Sequence, residues 1–359
     1  MKRILSALLA VVVVVGAAAV LVMSSRRVQD AIVARIARRR IGRDMSGLLA
    51  PDALRVLLCG TSSPVPSPGR AEACTAVFAG GHMWIVDTGP GSWRQLAIRR
   101  IRGEAIGGIF YTHLHSDHIG ELGEFNLQTW AAGRPGPLRV FGPEGVTELV
   151  HGFTEAYAAD TRFRIAHHGA AFLPPERAAM IAVPITLDGG DAARVVDEDG
   201  VVVTAFAVVH DPVKPAFGYR FDYGGRSVVL SGDTAPSTNL VAHARGVDVL
   251  VHEAQANDLV HIMEEAARAT GESRAAKILG DIPSYHTTPA DAAREAVTAG
   301  VKLLVFTHLT PPPDNPVLAH IFRRDVTATP PQGLVIGEDG TLVVLPKGSA
   351  AVEVSRVDP

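Results

Sequence analysis

Thr112-His113-Leu114-His115-Ser116-Asp117-His118 follows directly on the apolar run Ile106–Tyr111. Three imidazoles and one carboxylate thus fall within six residues of a strand-like end. Two histidines at i and i+2 of an extended segment point the same way, so His113 and His115 reach one cation. Asp117 and His118, on the turn that follows, reach a second. Imidazole and carboxylate donors without a thiolate suit Zn2+, and Mn2+ or Fe2+ accept the same set. The chain has 14 histidines in 359 residues, and chance places such a pattern in roughly one chain in a thousand.

The same ending recurs along the chain. Val201–Val209 stops at His210, and Ser227–Leu230 runs into Ser231-Gly232-Asp233-Thr234. Val247–Val251 stops at His252-Glu253, and Lys302–Phe306 reaches Thr307-His308. Five strand-like runs therefore deliver His, Asp or Glu at their C-terminal ends, the edge at which α/β sheets bind ligands. From Leu54 onward these runs alternate with helix-length segments, the pattern of an α/β domain. No internal repeat is visible, which argues against a solenoid or propeller. Asp188–Gly200, rich in glycine and acid, reads as a surface loop.

Taken in order, His113-x-His115-x-Asp117-His118, His210, Gly232-Asp233-Thr234 and His308 resemble the metallo-β-lactamase-fold hydrolases, over about residues 54–346. Further segments are similar to the ribonuclease Z-like and arylsulfatase-like branch of that superfamily. They are Gly60-Thr61, Val140-Phe141-Gly142-Pro143, Phe217-Gly218-Tyr219-Arg220-Phe221, Leu250-Val251-His252-Glu253-Ala254 and Tyr285-His286-Thr287-Thr288. The resemblance implies a four-layer αββα fold holding two Zn2+. It implies that His113, His115 and His210 bind the first ion, that Asp117, His118 and His308 bind the second, and that Asp233 bridges them. Some metallo-β-lactamases carry Cys at the place of Asp233, whereas a carboxylate bridge suits two hard cations about 3.5–4 Å apart. Asp87 matches a non-ligating family position that orients the metal loop; read alone, it is equally an ordinary turn residue.

The resemblance further implies that His286 is the general acid and that Glu253 orients it, which with Asp117 completes the catalytic set. By themselves His286 and Glu253 also suit a purely structural part in holding loops together. The local sequence adds that Thr288 and Pro289 read as the N-cap and first position of a helix over Pro289–Ala299. That places His286 at a helix entrance facing the strand edge.

The expected reaction is hydrolysis of a phosphodiester or sulfate-type ester by water activated between two cations, with His286 protonating the departing oxygen. A small ester is the expected substrate. The alternatives are a ribonuclease Z-type tRNA 3′ endonuclease, a lactonase or β-lactamase, and a membrane-tethered metal-binding module without catalysis. Two features weigh against RNA without excluding it. An RNA-gripping surface needs a basic stripe, whereas residues 51–359 carry a net charge of −10. The tRNA-binding arm of bacterial ribonuclease Z is inserted between the Gly-Tyr-Arg strand and Gly-Asp-Thr, where this chain has only Asp222–Ser231. Its extra sequence lies between Trp130 and Gly200, and with His167-His168 it reads either as a pocket wall or as a surface insertion. A homodimer is compatible with the sequence.

The composition, 47% hydrophobic with 35 glycines, 24 prolines and two cysteines, excludes a disulfide scaffold, a collagen-like repeat and a disordered tail protein. The overall net charge of −3 averages two unlike regions. Residues 1–50 hold nine Lys/Arg against two Asp, a net of +7. Within them Ile4–Met23 is apolar except for Ser6, enough to span a hydrocarbon core of roughly 30 Å. The run continues past Ala17-Ala18-Ala19, which favours an uncleaved anchor in a bacterial inner membrane over a signal peptide cleaved on export. The arginines after it argue for a cytoplasmic body. A basic amphipathic linker on anionic headgroups, built on Val28, Ile32, Val33, Ile36 and Ile41, accounts for them equally, so the membrane side stays open. The chain therefore divides into an anchor (about 4–23) and linker over 1–50, and a hydrolase domain over 51–359. Cys59 and Cys74 flank a Pro/Gly-rich turn that would bring them within disulfide range, but two buried free thiols are the favoured reading.

Overall fold

A computed structural model describes residues 2–41, 46–187 and 189–359. It divides into two compact units, Met1–Met45 and Ser46–Pro359. In the first, helix Lys2–Ser24 is followed by helix Arg26–Ile41. Ser6–Ser24, with a mean hydropathy of 2.8, is long and apolar enough to cross a membrane. The second helix departs from the amphipathic expectation. On an ideal helix Val33 and Ile41 lie about 140° to either side of Val28, so its apolar residues form no single stripe. Arg43 of the expected linker lies outside the described residues.

The second unit contains fifteen strands among the described residues. The first six are β1 (Ala53–Gly60), β2 (Cys74–Ala79), β3 (His82–Val86), β4 (Ile106–Phe110), β5 (Leu138–Gly142) and β6 (Met180–Pro184). A second series comprises β7 (Ala192–Glu198), β8 (Val201–Ala207), β9 (Phe217–Tyr223), β10 (Arg226–Leu230), β11 (Val249–Gln255), β12 (Leu303–Thr310) and β13 (Leu334–Ile336). The chain then returns through β14 (Thr341–Pro346) and β15 (Glu353–Arg356) to the first sheet. Sheet orders are β15-β14-β1-β2-β3-β4-β5-β6 and β13-β12-β11-β10-β9-β8-β7. Part of the acid-rich stretch expected as a loop is the strand β7, paired with β8; an edge strand tolerates charged side chains because one of its sides is open to water.

Alternation along the strands builds the layers. Leu54, Val56 and Leu58 of β1 share one core with Val228, Leu230, Val249, Val251, Leu303 and Val305 of the other sheet. The intervening Val229, Leu250 and Leu304 pack instead against Leu240 and against Ala292, Ala293 and Ala296 of helix Pro289–Ala299. Strands buried on both faces read as unbroken apolar runs, which is why these segments stand out in the sequence. On the outer side of the first sheet, Leu127 and Trp130 of helix Leu122–Ala131 pack against Leu173. The result is the four-layer αββα arrangement. All of these core residues lie after Met45, so residues 46–359 carry the core they need to fold alone.

Three local features depart from expectation. β11 and β12 run on through His252, Glu253 and His308 rather than stopping at them. Glu253 pairs with Thr307 but Ala254 pairs with Leu309, so His308 is the extra residue of a bulge, at φ +44°. β9 and β10 are joined by Gly224-Gly225 alone, both at positive φ, the two-residue turn that only glycine-like residues allow. His167 and His168 end the helix Val146–His168, whose other end adjoins Leu114. A helix of this length puts them on the order of 30 Å from the metal loop, so these two histidines line no pocket there.

The cysteines are paired, contrary to the free-thiol expectation. Antiparallel β1 and β2 set Gly60 opposite Cys74, and Cys59 and Cys74 form a disulfide with their Cα atoms 5.0 Å apart. The bond closes the loop 60–73, whose last residue, Ala73, borders the cavity lined by Asp87, His118 and Asp233. Closing a loop of this length removes about 3 kcal/mol of unfolded-state entropy. Replacing both cysteines by serine should lower unfolding free energy by about 2–4 kcal/mol in denaturant titration, with reductant producing the same loss in the parent protein.

Candidate metal centre

β4 delivers Thr112 and His113 to the sheet edge, and His115 sits at the entrance of the short helix Ser116–Ile119 that carries Asp117 and His118. His210 follows β8 and Asp233 follows β10. The turn into Asp233 needs Gly232, at φ +61°, since a Cβ there would lie 2.6 Å from the Phe217 carbonyl oxygen.

These elements converge on two groups. The donor atoms of His113, His115 and His210 lie within 4.8 Å of one another, as do those of Asp117, His118, Asp233 and His308. Asp233 Oδ2 is 3.4 Å from both His118 Nε2 and His308 Nε2 and 3.9 Å from His113 Nε2, so it faces both groups. Asp117 Oδ2 is 3.1 Å from His308 Nε2 and 3.3 Å from His118 Nε2. Donors bonded at ~2.0–2.1 Å to one tetrahedral zinc stand about 3.3–3.4 Å apart, close to the carboxylate-to-imidazole distances of 3.1–3.4 Å in the second group. His118 Nε2, His210 Nε2 and Asp233 Oδ1 are buried without a hydrogen-bond partner, a cost that a bound cation would remove. The residues present therefore fit Zn2+. All seven sequence-predicted ligands are brought together.

Burial drives the pKa values of His113, His115 and His210 down, which keeps their nitrogens free to ligate at neutral pH. In the second group burial opposes charge on every member. It would raise Asp117 and Asp233, yet the facing His118 and His308 hold both below the usual carboxylate range. Burial would lower His118 and His308, and the facing carboxylates push both up instead.

Asp87 sets the orientation of this group. Its carboxylate accepts Thr112 N and Thr112 Oγ1 at 2.9 Å each and lies 2.8 Å from His118 Nδ1. A proton on His118 Nδ1 donated to Asp87 leaves the Nε2 lone pair aimed at the cluster. His210 Nδ1 is held in the same way by the Tyr285 carbonyl oxygen at 3.1 Å.

Beside the clusters, His286 Nδ1 lies 2.9 Å from Glu253 Oε1, which also accepts Thr234 N at 3.1 Å and Thr287 N at 3.2 Å. Glu253, His286 and His308 form a third close group. Burial alone would lower the pKa of His286, but the charge and hydrogen bond of Glu253 raise it to about 9. Sequence reasoning missed the brace behind this pair. His252, fully buried, meets Glu295 Oε2 through Nε2 at 3.1 Å, and Glu295 Oε1 accepts Ser237 N. The available signal was a carboxylate placed between the alanines of an otherwise apolar helix face.

Two packed sheets with an all-histidine cluster beside a His/Asp cluster along one edge define a metallo-β-lactamase-fold hydrolase, an enzyme that acts on ester bonds. The chain belongs to this superfamily: residues 82–309 match the beta-lactamase superfamily domain. Within it the chain falls in the ribonuclease Z-like branch. It is 36% identical over 261 residues to ribonuclease Z of Mycobacterium marinum, covering 72% of this chain and 87% of that protein. Its identity to ribonuclease Z of Mycobacterium bovis is 37% over 262 residues, covering 72% and 86%. Among solved structures the fold is similar to a metallo-beta-lactamase fold protein of Bacillus subtilis, with TM-score 0.59, 16% identity and coverage of 82% and 100%. It is also similar to the short form of human tRNase Z, with TM-score 0.57, 22% identity and coverage of 81% and 99%.

Asn at position 87 keeps a side chain that tolerates φ +61° but replaces one accepting oxygen by an NH2 donor, which cannot accept a proton from His118 Nδ1. Asp87→Asn should therefore weaken zinc retention about 10–100-fold in chelator competition and lower the thermal midpoint of the metal-loaded protein.

Proposed function

We propose that the protein is a binuclear zinc phosphodiesterase of the ribonuclease Z type, hydrolysing an RNA phosphodiester with His286 as general acid. The observation that carries this reading is the His286–Glu253 pair, 2.9 Å apart, set beside the clusters. His113, His115 and His210 would hold one ion and Asp117, His118 and His308 the other, with Asp233 between them. When bound, the two ions would lower the pKa of water and offset charge on the non-bridging oxygens. The residues do the rest. Glu253 holds the imidazole by Nδ1, so the opposite nitrogen faces the leaving oxygen and gives it a proton. The name shared by the curated relatives supports an RNA substrate.

A second reading, a smaller phosphodiester or sulfate-type ester, is favoured by the two-residue connection between β9 and β10. No arm stands there, and residues 51–359 are acidic. We also read Ile4–Met23 as a membrane anchor joined by a basic linker to the hydrolase domain; its length and hydropathy support this.

A side-by-side assay of residues 46–359, with metal analysis on the same sample, decides between the substrates. The panel is a precursor tRNA, an activated phosphodiester, an aryl sulfate and a lactone. Precise 3′ trimming of the tRNA is the expected result; turnover of the activated ester alone would overturn the RNA reading in favour of the second.

The acid works in its protonated form, so kcat should be sustained below about 9 and fall as pH rises through the raised pKa of His286. Glu253→Gln removes the charge that raises it, and should move the alkaline limb down by about one pH unit or more. His286→Ala should lower kcat about 10²–10⁴-fold with zinc content intact. Unchanged turnover in His286→Ala would end the assignment.

A further inference from the structure

Helix Val146–His168 ends in a projecting tip. Residues 166–172, Ala-His-His-Gly-Ala-Ala-Phe, are all exposed. Phe163 is 64% exposed and Phe172 70%, and no other Phe, Tyr or Trp among the described residues is exposed. The tip is held in this state rather than frayed. Gly169, at φ +84°, stops the helix, and its carbonyl accepts Phe172 N at 3.1 Å and Leu173 N at 3.0 Å. On one side of it Ile165, and on the other Leu173, pack against Leu127 and Trp130. Trp130 Nε1 also donates to the Pro174 carbonyl at 2.9 Å. Both ends of the turn are thus fixed to the domain, and the turn geometry that sends Leu173 inward leaves Phe172 in water.

The charge around these rings is one-sided. Thr161–Pro175 contains Arg162, Arg164, His167 and His168 and no Asp or Glu. The nearest acids bracket it: Asp160 is paired with Arg164 at 2.7 Å, and Glu176 follows. In a domain that is acidic overall, an acid-free stretch combining exposed aromatic rings with arginines has the composition that partitions into an anionic bilayer interface. Another protein copy fits less well. Two phenylalanines offer roughly 300 Å2 at most, against about 800 Å2 per partner in a stable dimer. A two-fold contact would also set one cationic tip against the other.

We propose that this tip is a membrane-docking surface, with Phe163 and Phe172 entering the headgroup region of an anionic bilayer and Arg162 meeting its phosphates.

The test is flotation of residues 46–359 with vesicles of phosphatidylcholine alone, or with about three in ten lipids replaced by phosphatidylglycerol. Binding to the anionic vesicles only, weakened by salt, is expected. Phe163→Ser/Phe172→Ser should cut the bound fraction about tenfold while turnover of an activated phosphodiester is unchanged. The proposal fails if the double variant floats as the parent does, or if the parent binds neither vesicle. It fails equally if sedimentation reveals a dimer that the two substitutions abolish. Since the assay omits the N-terminal helix, its outcome is independent of the anchor reading.

Discussion

A single buried carboxylate orients the metal-binding edge. Asp87 accepts the Thr112 backbone N–H on Oδ1 and meets both the Thr112 hydroxyl and His118 Nδ1 on Oδ2. It thereby ties the loop after β3 to the loop after β4. Without that tie, the proton on His118 Nδ1 would lose the acceptor that keeps Nε2 free to face the second cluster. Asp87 does this from φ +61°, a conformation an unconstrained aspartate seldom adopts. The strain is stored where the ligand geometry is most exacting.

Around that tie the site is built in two electrostatic halves. The first, His113, His115 and His210, is imidazole alone and is kept neutral by burial. In the second, carboxylates and imidazoles oppose each other across short distances, so its members hold charge only through one another. The Glu253–His286 pair extends the second principle outward. Its position depends on β11, and β11 is fastened to helix Pro289–Ala299 by His252 and Glu295. Because that helix is capped by Thr288, two residues after His286, the brace reaches His286 from both sides along the chain.

How far this was legible in the sequence follows from how local each signal is. The ligands announce themselves because each sits at or near the end of an apolar run, and doubly buried strands make such runs conspicuous. The seven side chains that converge in the two clusters, the His286–Glu253 contact and the helix start at Pro289 were all readable. What escaped depends on register or on distant pairing. The Cys59–Cys74 bond exists because β1 and β2 pair with Gly60 opposite Cys74, which no composition around the turn reveals. The bulge at His308 is a one-residue slip between two strands that look regular. The amphipathic reading of Arg26–Ile41 failed for the opposite reason: near-helical spacing of five apolar residues suggested one face, and their angles around the axis deny it.

The bulge has an evolutionary side. Excising the one residue that slips, His308, would bring Thr307 and Leu309 into unbroken register with Glu253 and Ala254. The sheet would become more regular and the backbone would lose a left-handed residue, while the second cluster would lose a ligand. Regular pairing and metal binding are thus in direct competition at a single codon. A lineage released from selection for hydrolysis has there a short downhill path to a well-folded, inert descendant.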